Sequence, residues 1–444
     1  MSRKYFGTDG IRGKVGTNPM TADFAMRLAS AAARVLIPAG GTVLIGKDTR
    51  LSGYMFESAL EAGFVAAGID VLLLGPLPTP GIAQLTQQFM ADLGVVISAS
   101  HNLYEDNGIK FFDRNGAKLS DDIERQIEAH LEKPAITRES GALGKAKRID
   151  TARVRYQEFA ASTFPSGMTL DGFKVVFDGA NGAGYKVGPR TLSALGAEVI
   201  PIGCSPNGRN INDGCGSTHT ELLQLTVPAV RAHVGVALDG DGDRVVMVDE
   251  FGKLIDGDQM LYILAIALHR RGKLTGPVVG TVMSNLGLER ALSSVDIEFR
   301  RAKVGDRYVL EMLRETGGII GGETSGHMIS LDQTTTGDGL VCALQVLAVM
   351  QETGKSLSEL AAGMSKYPQT MLNVRTKKPF DPTTSTVIQE AVAGAEVELA
   401  NTGRVVLRAS GTEPVIRVMV EGENHEQVVA LAERLAVVVA AAAS

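Results

Sequence analysis

Three aspartates alternate with glycines near the middle of the chain, in the motif DGDGDR. The segments on either side, Val234–Leu238 and Val245–Val248, are apolar and rich in β-branched residues, so the motif joins two predicted strands. In an extended segment, the side chains of Asp239, Asp241 and Asp243 would project to one side. Three carboxylates so close together repel one another unless a cation binds, and ligands that are all oxygen indicate magnesium or calcium.

A calcium-binding EF-hand is one alternative, because Glu250 is the twelfth residue counted from Asp239. The sixth position of such a loop must be glycine to make its sharp turn, and this chain has Arg244 there. The flanking segments are also strand-like rather than helical. A solvated acidic turn is the plainer alternative. Magnesium prefers few protein carboxylates together with a phosphate, so the motif favours a magnesium site that a phosphate completes.

A serine could supply that phosphate. The apolar run Val95–Ile97 ends in the small polar residues of SASHN, which places Ser100 on a turn where we expect its hydroxyl to be exposed. The hydrolase pattern GxSxG is absent. A serine and the histidine beside it in sequence, here His101, also rarely face each other as nucleophile and base. By themselves these residues leave both a catalytic serine and an ordinary polar turn open.

Two other motifs have the composition of anion sites. RASGTEP, which begins at Arg408, and the nearby Arg417 supply hydroxyls, the N–H groups of a turn and two guanidinium groups. Such a set is typical of phosphate binding, although a surface turn with unrelated arginines is the alternative. At the N-terminus, FGTDGIRG places Arg12 among glycine-rich turns.

Two further motifs are ambiguous when taken alone. In GGETSGH, Glu323 and Ser325 could hydrogen-bond the neighbouring hydroxyls of a sugar, and His327 could transfer a proton near neutral pH. A helix-capping turn is the alternative there. The motif NGIK predicts a hairpin turn over residues 107–110, with Lys110 as an ordinary surface lysine.

The elements that must position these residues follow a repeated order of strand, polar or glycine-rich turn, helix and strand. The copies lie at residues 41–74, 173–202 and 277–300. Right-handed crossovers of this kind build mixed or parallel sheets, so we predict three similar mixed-sheet α/β domains. From about Thr370, three strands and two helices predict a smaller α+β domain. We expect an active site in the central cleft between domains.

Joints near residues 150, 254 and 367 give four predicted domains. They are 1–150 with the serine loop, 151–254 with the metal-binding loop, 255–367 with the sugar-recognition loop, and 368–444 with the phosphate-binding loop.

Composition limits the function classes. The chain has 444 residues and a net charge of −6, which argues against a general binder of nucleic acid or membrane surfaces. Its three cysteines form no disulfide framework and fit a reducing compartment. The first residues have no apolar core of a signal peptide, and no apolar run reaches the roughly 18 to 20 residues that span a bilayer. The sequence therefore predicts a cytoplasmic protein.

Taken together, the motifs resemble the α-D-phosphohexomutase superfamily, and within it the family of phosphoglucosamine mutases most closely. Six motifs occur in the order and approximate spacing of that family: FGTDGIRG, SASHN, NGIKFF, DGDGDR, GGETSGH and RASGTEPVIRV. One position departs from the pattern, because Leu103 stands where the serine motif is usually followed by proline. That change loosens the turn and removes no functional group.

The resemblance implies a role for each matched residue. Ser100 would be activated by phosphorylation, and one Mg²⁺ per chain would be held by Ser100 with the three aspartates. His101, Lys110 and His327 would lie near the transferring group, with Arg12 and Arg244 supplying positive charge. Glu323 and Ser325 would bind sugar hydroxyls. The implied phosphate-docking residues are Arg408, Ser410, Gly411, Thr412 and Arg417.

The reaction implied by this resemblance is the reversible conversion of glucosamine 6-phosphate to glucosamine 1-phosphate. It would run through a phosphoserine and a bisphosphorylated sugar, and would feed the synthesis of amino-sugar nucleotides and cell-wall precursors. A phosphomannomutase or phosphoglucomutase is one alternative, since no residue visibly selects the 2-amino group. A non-catalytic phosphosugar-binding protein is another. Lys110 and His327 are both candidates for the general base. The oligomeric state, including a homodimer, is also left open.

Overall fold

The structure is a computed structural model that describes residues 3–376, 380–409 and 414–443. Its strands form four separate sheets of six, five, four and three strands, which follow one another along the chain. We refer to each sheet and its helices as a unit. Among the helices of these residues, none combines the length and the apolar character needed to cross a membrane.

The first unit is a six-stranded mixed sheet with helices packed on it. Its elements are β1 Ile11–Lys14, α1 Ala22–Leu36, β2 Thr42–Lys47, α2 Gly53–Ala66, β3 Asp70–Pro76, α3 Thr79–Gln88, β4 Leu93–Ile97, β5 Asp106–Asp113, α4 Asp121–His130 and β6 Ala146–Arg148. The strand order is β1-β5-β4-β2-β3-β6, and the last four of these strands run parallel. Strand β4 is buried along its whole length, which explains its continuous apolar sequence LGVVI.

The second and third units repeat this plan with smaller sheets. The second contains α5 Ala152–Ser162, β7 Lys174–Asp178, α6 Val187–Ala194, β8 Glu198–Ile202, α7 Glu221–Ala229, β9 Val234–Leu238, β10 Val245–Val248 and β11 Leu254–Ile255. The third contains α8 Gly257–Arg270, β12 Val278–Thr281, α9 Leu286–Ser293, β13 Phe299–Ala302, α10 Asp306–Thr316, β14 Ile320–Gly322, β15 Met328–Ser330, α11 Gly339–Thr353 and α12 Leu357–Ala361. Each sheet has three parallel strands, and an antiparallel hairpin is formed at one side by β9–β10 and by β14–β15.

The fourth unit is a small antiparallel sheet covered by two helices. Its elements are β16 Gln369–Arg375, α13 Thr386–Leu399, β17 Gly403–Ala409, β18 Val415–Gly422 and α14 His425–Ala442. The strand order is β16-β18-β17, and both pairings are antiparallel. The predicted succession of three mixed α/β units and one α+β unit is therefore confirmed.

The clusters of buried apolar side chains do not coincide with the four units. One large cluster of buried side chains extends from Leu44 in the first unit through Phe177 in the second to Leu347 in the third. The fourth unit has its own cluster, centred on residues such as Val418 and Leu431. The three cysteines carry free thiols.

Two local predictions were wrong. Residues 107–110 lie inside strand β5, where Ile109 pairs with β1 on one side and with β4 on the other, rather than in a hairpin turn. Lys110 is consequently buried rather than on the surface. The aspartate motif does join two strands, but it forms the turn between β9 and β10 and is not extended. Gly242, with a φ of +72°, allows the chain to reverse there.

Candidate active site

A cleft of about 790 Å³ opens between the units and is lined by seven of the sixteen predicted site residues. Strand β4 leads into the serine turn, the β9–β10 turn carries the aspartates, and the β14–β15 turn carries GGETSGH. The last two turns are joined directly, because Val245 donates its N–H to the carbonyl of Gly326 at 3.0 Å. The predicted residues that line the cleft are Arg12, His101, Asp243, Arg244, Glu323, His327 and Arg417.

The three aspartates form a compact cluster below the cleft. Each can present one carboxylate oxygen so that the three atoms lie within 4.8 Å of one another, and all three residues are buried. Asp241 Oδ1 and Asp243 Oδ1 are buried atoms without a hydrogen-bond partner among the described residues. Buried carboxylate oxygens that lack partners are costly, and a hard divalent cation would satisfy them. The donor set therefore fits a metal of the magnesium type.

The hydroxyl of Ser100 lies against this cluster. Its Oγ donates a hydrogen bond to Asp239 Oδ2 at 2.6 Å, and it also lies 3.2 Å from His101 Nδ1. The residue is only 1% exposed, so the prediction of an exposed hydroxyl was wrong. The serine turn is covered by the second unit, which sequence reasoning did not foresee. Burial, followed by the nearby Arg244 and Arg12, lowers the pKa of His101 to about 4.

The carboxylates of the cluster differ in their electrostatic surroundings. Burial and the like-charged Asp243 and Asp241 raise the pKa of Asp239 well above its ordinary range. Burial also opposes the charge of Asp243, but Lys110 and His327 outweigh it and hold the pKa of this carboxyl well below its usual value. Asp239 is thus the carboxylate with least cationic support, and it is the one that contacts Ser100.

Lys110 connects the aspartates to the N-terminal motif. Its Nζ lies 2.8 Å from Asp241 Oδ2 and 2.8 Å from Asp9 Oδ2. Burial by itself would lower the pKa of Lys110, but these carboxylates raise it above its ordinary value. Arg12, on strand β1, forms an ion pair with Asp9, and its Nε is buried without a partner among the described residues. A free guanidinium N–H beside the cleft can donate to an anion.

The GGETSGH turn places two of its three predicted side chains in the cleft. Glu323 Oε1 accepts a hydrogen bond from Gly305 N at 2.9 Å, while Ser325 is exposed at the tip of the turn. His327 is buried between Asp243 and Asp306. Burial opposes its charge, but Asp243 above all raises the pKa of His327 to about 9. The alternative of a helix-capping turn does not hold, because the motif forms a β-hairpin.

Two arginines of the fourth unit face each other across neighbouring strands. Arg408 on β17 is paired in register with Arg417 on β18, and its Nε is buried without a partner among the described residues. Burial and the charge of Arg417 lower the pKa of Arg408. Two adjacent guanidinium groups, one of them with a free donor, favour an anion between them. The predicted Ser410, Gly411 and Thr412 lie outside the described residues.

Sequence reasoning missed several polar residues of the site. Thr79, at the start of α3, donates from Oγ1 to Asp241 Oδ2 at 2.7 Å, and its N–H bonds the carbonyl of Asp241 at 2.8 Å. Asp9 binds Arg12, Lys110 and Lys118, and Asp306 lines the cleft and binds Lys118. Asp9 belongs to the motif FGTDGIRG and could have been found there. Thr79 and Asp306 have no motif of their own.

Four units surround a cleft that is lined by cationic and carboxylate side chains. Sequence profiles of phosphoglucomutase/phosphomannomutase match the whole series, with α/β/α domain I over residues 3–137, domain II over 155–252, domain III over 256–367 and the C-terminal domain over 371–438. The chain therefore belongs to the phosphoglucomutase/phosphomannomutase family.

The chain can also be compared with individual proteins over its full length. The chain is 58% identical over 437 residues to a phosphoglucosamine mutase of Aeromonas hydrophila, with 98% of both chains covered. It is 57% identical over 441 residues to the one of Edwardsiella ictaluri, with 99% of both covered. A solved phosphoglucomutase/phosphomannomutase family protein of Burkholderia thailandensis superposes with a TM-score of 0.81 at 25% identity, covering 99% of this chain and 98% of that one. The N-acetylphosphoglucosamine mutase of Aspergillus fumigatus, solved with GlcNAc-6P and magnesium, shares the fold at 18% identity, with a TM-score of 0.71 and coverage of 100% and 96%.

Proposed function

We propose that this protein interconverts glucosamine 6-phosphate and glucosamine 1-phosphate. The observation that carries the proposal is the 2.6 Å hydrogen bond from the Ser100 hydroxyl to Asp239, within a cluster of three carboxylates below the cleft. The full-length identity to phosphoglucosamine mutases favours this sugar over mannose or glucose phosphates. A non-catalytic binding protein would have no need of the buried serine and carboxylates together.

A magnesium ion would be held by Asp239, Asp241, Asp243 and an oxygen on Ser100. When bound, it would neutralise negative charge on the transferring phosphoryl group. Thr79 orients Asp241 by its hydroxyl, and Lys110 offsets the charge of the same carboxylate. Hydrogen-bonded partners of this kind fix the direction of a ligand's oxygens.

Phosphoryl transfer would start from Ser100 in its phosphorylated form. The free hydroxyl of the sugar phosphate attacks the phosphorus, the bond from phosphorus to Ser100 Oγ breaks, and a bisphosphorylated sugar results. In the second half, Ser100 Oγ attacks the other phosphate of the reoriented intermediate and the bond from that phosphorus to the sugar oxygen breaks. The phosphoryl group returns to Ser100, and the sugar oxygen regains the proton that the first half removed. Arg12 and Arg244, both at the cleft wall, would stabilise the charge of the transferring group.

The remaining residues would hold the sugar in either orientation. Arg408 and Arg417, with Ser410, Gly411 and Thr412, would bind the phosphate that does not react, and Glu323 would bind the hydroxyls. Ser325, exposed at the tip of the same turn, stays a predicted partner of the hydroxyls. We propose four domains with separate roles: residues 1–150 with the serine loop, 151–254 with the metal-binding loop, 255–367 with the sugar-recognition loop and 368–444 with the phosphate-binding loop. We also propose that the enzyme is cytoplasmic. A homodimer stays a prediction.

The attacking hydroxyl must lose a proton, and Lys110 and His327 remain the two candidates for its acceptor. Each is held between carboxylates, with Asp241 and Asp9 around Lys110 and Asp243 and Asp306 around His327. Replacing each in turn and comparing the pH dependence of kcat would separate them. Only loss of the true acceptor removes the rise of kcat with pH.

The test combines mass spectrometry with assays on three substrates. We expect intact mass to show one added phosphate, located on Ser100, and Mg²⁺-dependent turnover that is fastest with glucosamine 6-phosphate. Ser100→Ala, supplied with the bisphosphate, should be inactive. Normal turnover by that variant would refute the phosphoserine mechanism, and faster turnover of mannose or glucose 6-phosphate would refute the choice of sugar.

A further inference from the structure

The backbone of Ser100 has a conformation that serine rarely adopts. Its φ is +53°, in the left-handed region where the Cβ of an L-residue crowds its own backbone. A residue other than glycine keeps such a conformation only when the surrounding contacts fix it. Buried side chains hold both the N–H and the carbonyl of Ser100, and they explain why the conformation persists.

Two side chains from different units bind the carbonyl side of the serine turn. Arg50, which follows strand β2 and is fully buried, donates from Nη2 to the carbonyl oxygens of Ser100 at 3.0 Å and Asn102 at 2.8 Å. Asn212 of the second unit, 1% exposed, donates from Nδ2 to the same two oxygens, each at 2.9 Å. A guanidinium and an amide thus share one pair of carbonyls.

The amide side of the turn is held through a chain of hydrogen bonds that returns to Arg50. The N–H of Ser100 donates to Ser98 Oγ at 2.9 Å, and the Ser98 hydroxyl donates to Asp48 Oδ2 at 2.6 Å. Arg50 Nε donates to the same carboxylate oxygen at 2.7 Å. The bonds form a closed ring around Ser100, and every member of it is buried.

Asn212 also contacts the aspartate turn. A Cβ at Gly240, between Asp239 and Asp241, would lie 2.7 Å from Asn212 Nδ2 and 2.5 Å from the carbonyl oxygen of Ser100. The aspartate turn, Asn212 and the serine turn are therefore in close contact. Their packing fixes the distance between Ser100 Oγ and the carboxylates.

We propose that Arg50 and Asn212 are positioning residues for phosphoryl transfer, a role that rests on the proposed function. Together they hold Ser100 in its left-handed conformation, so that Oγ faces the aspartates in both halves of the reaction. Neither residue lines the cleft. Their loss therefore acts on kcat and leaves binding of the sugar phosphate intact.

Asn212→Ala is the first test, because Arg50 still satisfies both carbonyls in that variant. We expect kcat to fall roughly 10- to 100-fold, the scale of a misplaced reacting group, with KM for glucosamine 6-phosphate changed by less than about twofold. The matched control is Asn210→Ala in the same loop, whose side chain bonds Ser205 and Asn207 and, within the described part of the chain, is not bonded to the serine turn. It should keep the kcat of the unchanged protein.

A second variant removes the hydrogen bond that holds the N–H of Ser100. Ser98→Ala removes the acceptor of the Ser100 N–H, and it keeps the inference testable if Asn212→Ala does not fold. In both variants we expect faster hydrogen exchange in peptides containing Ser100, with exchange in strand β9 unchanged. A purely structural role would lower the melting temperature and leave the ratio of kcat to KM unaltered.

The outcomes separate the two proposals. If neither the unchanged protein nor Asn210→Ala turns over glucosamine 6-phosphate, the proposed function fails. If both are active and Asn212→Ala keeps their kcat, the positioning role is overturned while the function stands.

Discussion

The buried contact between Tyr156 and Asp338 gives a stability prediction that depends on pH. Tyr156 on α5 donates its hydroxyl to Asp338 Oδ2 at 2.8 Å, and Asp338 Oδ1 accepts the N–H of Val341 at the start of α11. Both side chains are buried, and they join the second unit to the third. Tyr156→Phe removes one hydroxyl and leaves the ring in place.

The magnitude follows from the charge of Asp338. Burial raises its pKa to about 6 from an ordinary value of 3.8. The native state therefore holds this proton more tightly, and the stability that Asp338 contributes is present below pH 4 and lost as pH rises through 6. A hydrogen bond to an ionised group contributes about 1.5–3 kcal/mol, and one between neutral groups about 0.5–1.5 kcal/mol. Tyr156→Phe should thus cost about 1 kcal/mol more at pH 8 than at pH 5.

Urea unfolding at the two pH values measures this difference. The midpoint for Tyr156→Phe is compared with that of the unchanged protein at each pH, so other titrating groups cancel. Tyr104→Phe, at a partly exposed tyrosine, is the matched control and should shift neither midpoint. An equal loss of stability at pH 5 and pH 8 would refute the reasoning, because it would mean that Asp338 does not change its charge between them.

Three further predictions concern the metal, the phosphate site and the thiols. Asp241→Asn should weaken Mg²⁺ binding, measured by calorimetry, by about tenfold or more, whereas the exposed Asp213→Asn should not. Arg408→Ala should raise KM roughly 10- to 100-fold, since a charge-assisted hydrogen bond is lost. Its control Arg434→Ala, from an exposed ion pair, should leave KM unchanged. Burial raises the pKa of the three thiols, so they should react with Ellman's reagent at pH 8 only after unfolding in urea. An unchanged Mg²⁺ affinity, an unchanged KM or a fast thiol in the native protein would contradict the respective prediction.

The order of units was readable from the sequence because it depends on local patterns. Apolar runs before polar or glycine-rich turns predicted strands in the first three sheets, where residues 173–202 contain β7 and β8 and residues 277–300 contain β12, although β1, β5 and β6 of the first sheet were not predicted. Alternating aspartates likewise revealed the carboxylate cluster. Three neighbouring carboxylates repel one another in an extended segment and in a turn alike, so the motif predicts a cation site in either case.

The errors arose where distant parts of the chain decide the structure. The Asn107-Gly108 pair favours a turn locally, but the segment pairs with two neighbouring strands, and that pairing prevails. Ser100 is buried because Asn212 and Gly240 of another unit cover it. Thr79 is bonded to Asp241 across 162 positions of sequence. No local pattern contains these contacts.

The division of the apolar core into separate clusters also determines which units should unfold together. A cluster that runs through three units couples their unfolding, since none can open without exposing side chains of the others. The fourth unit keeps its own cluster and meets the third through polar contacts, such as those of Glu421 with Leu286 N and of Arg404 with the carbonyls of Val282 and Ser284. We therefore expect the chain to unfold as two cooperative units rather than four. The smaller of them carries one wall of the cleft and can change its position without exposing an apolar core.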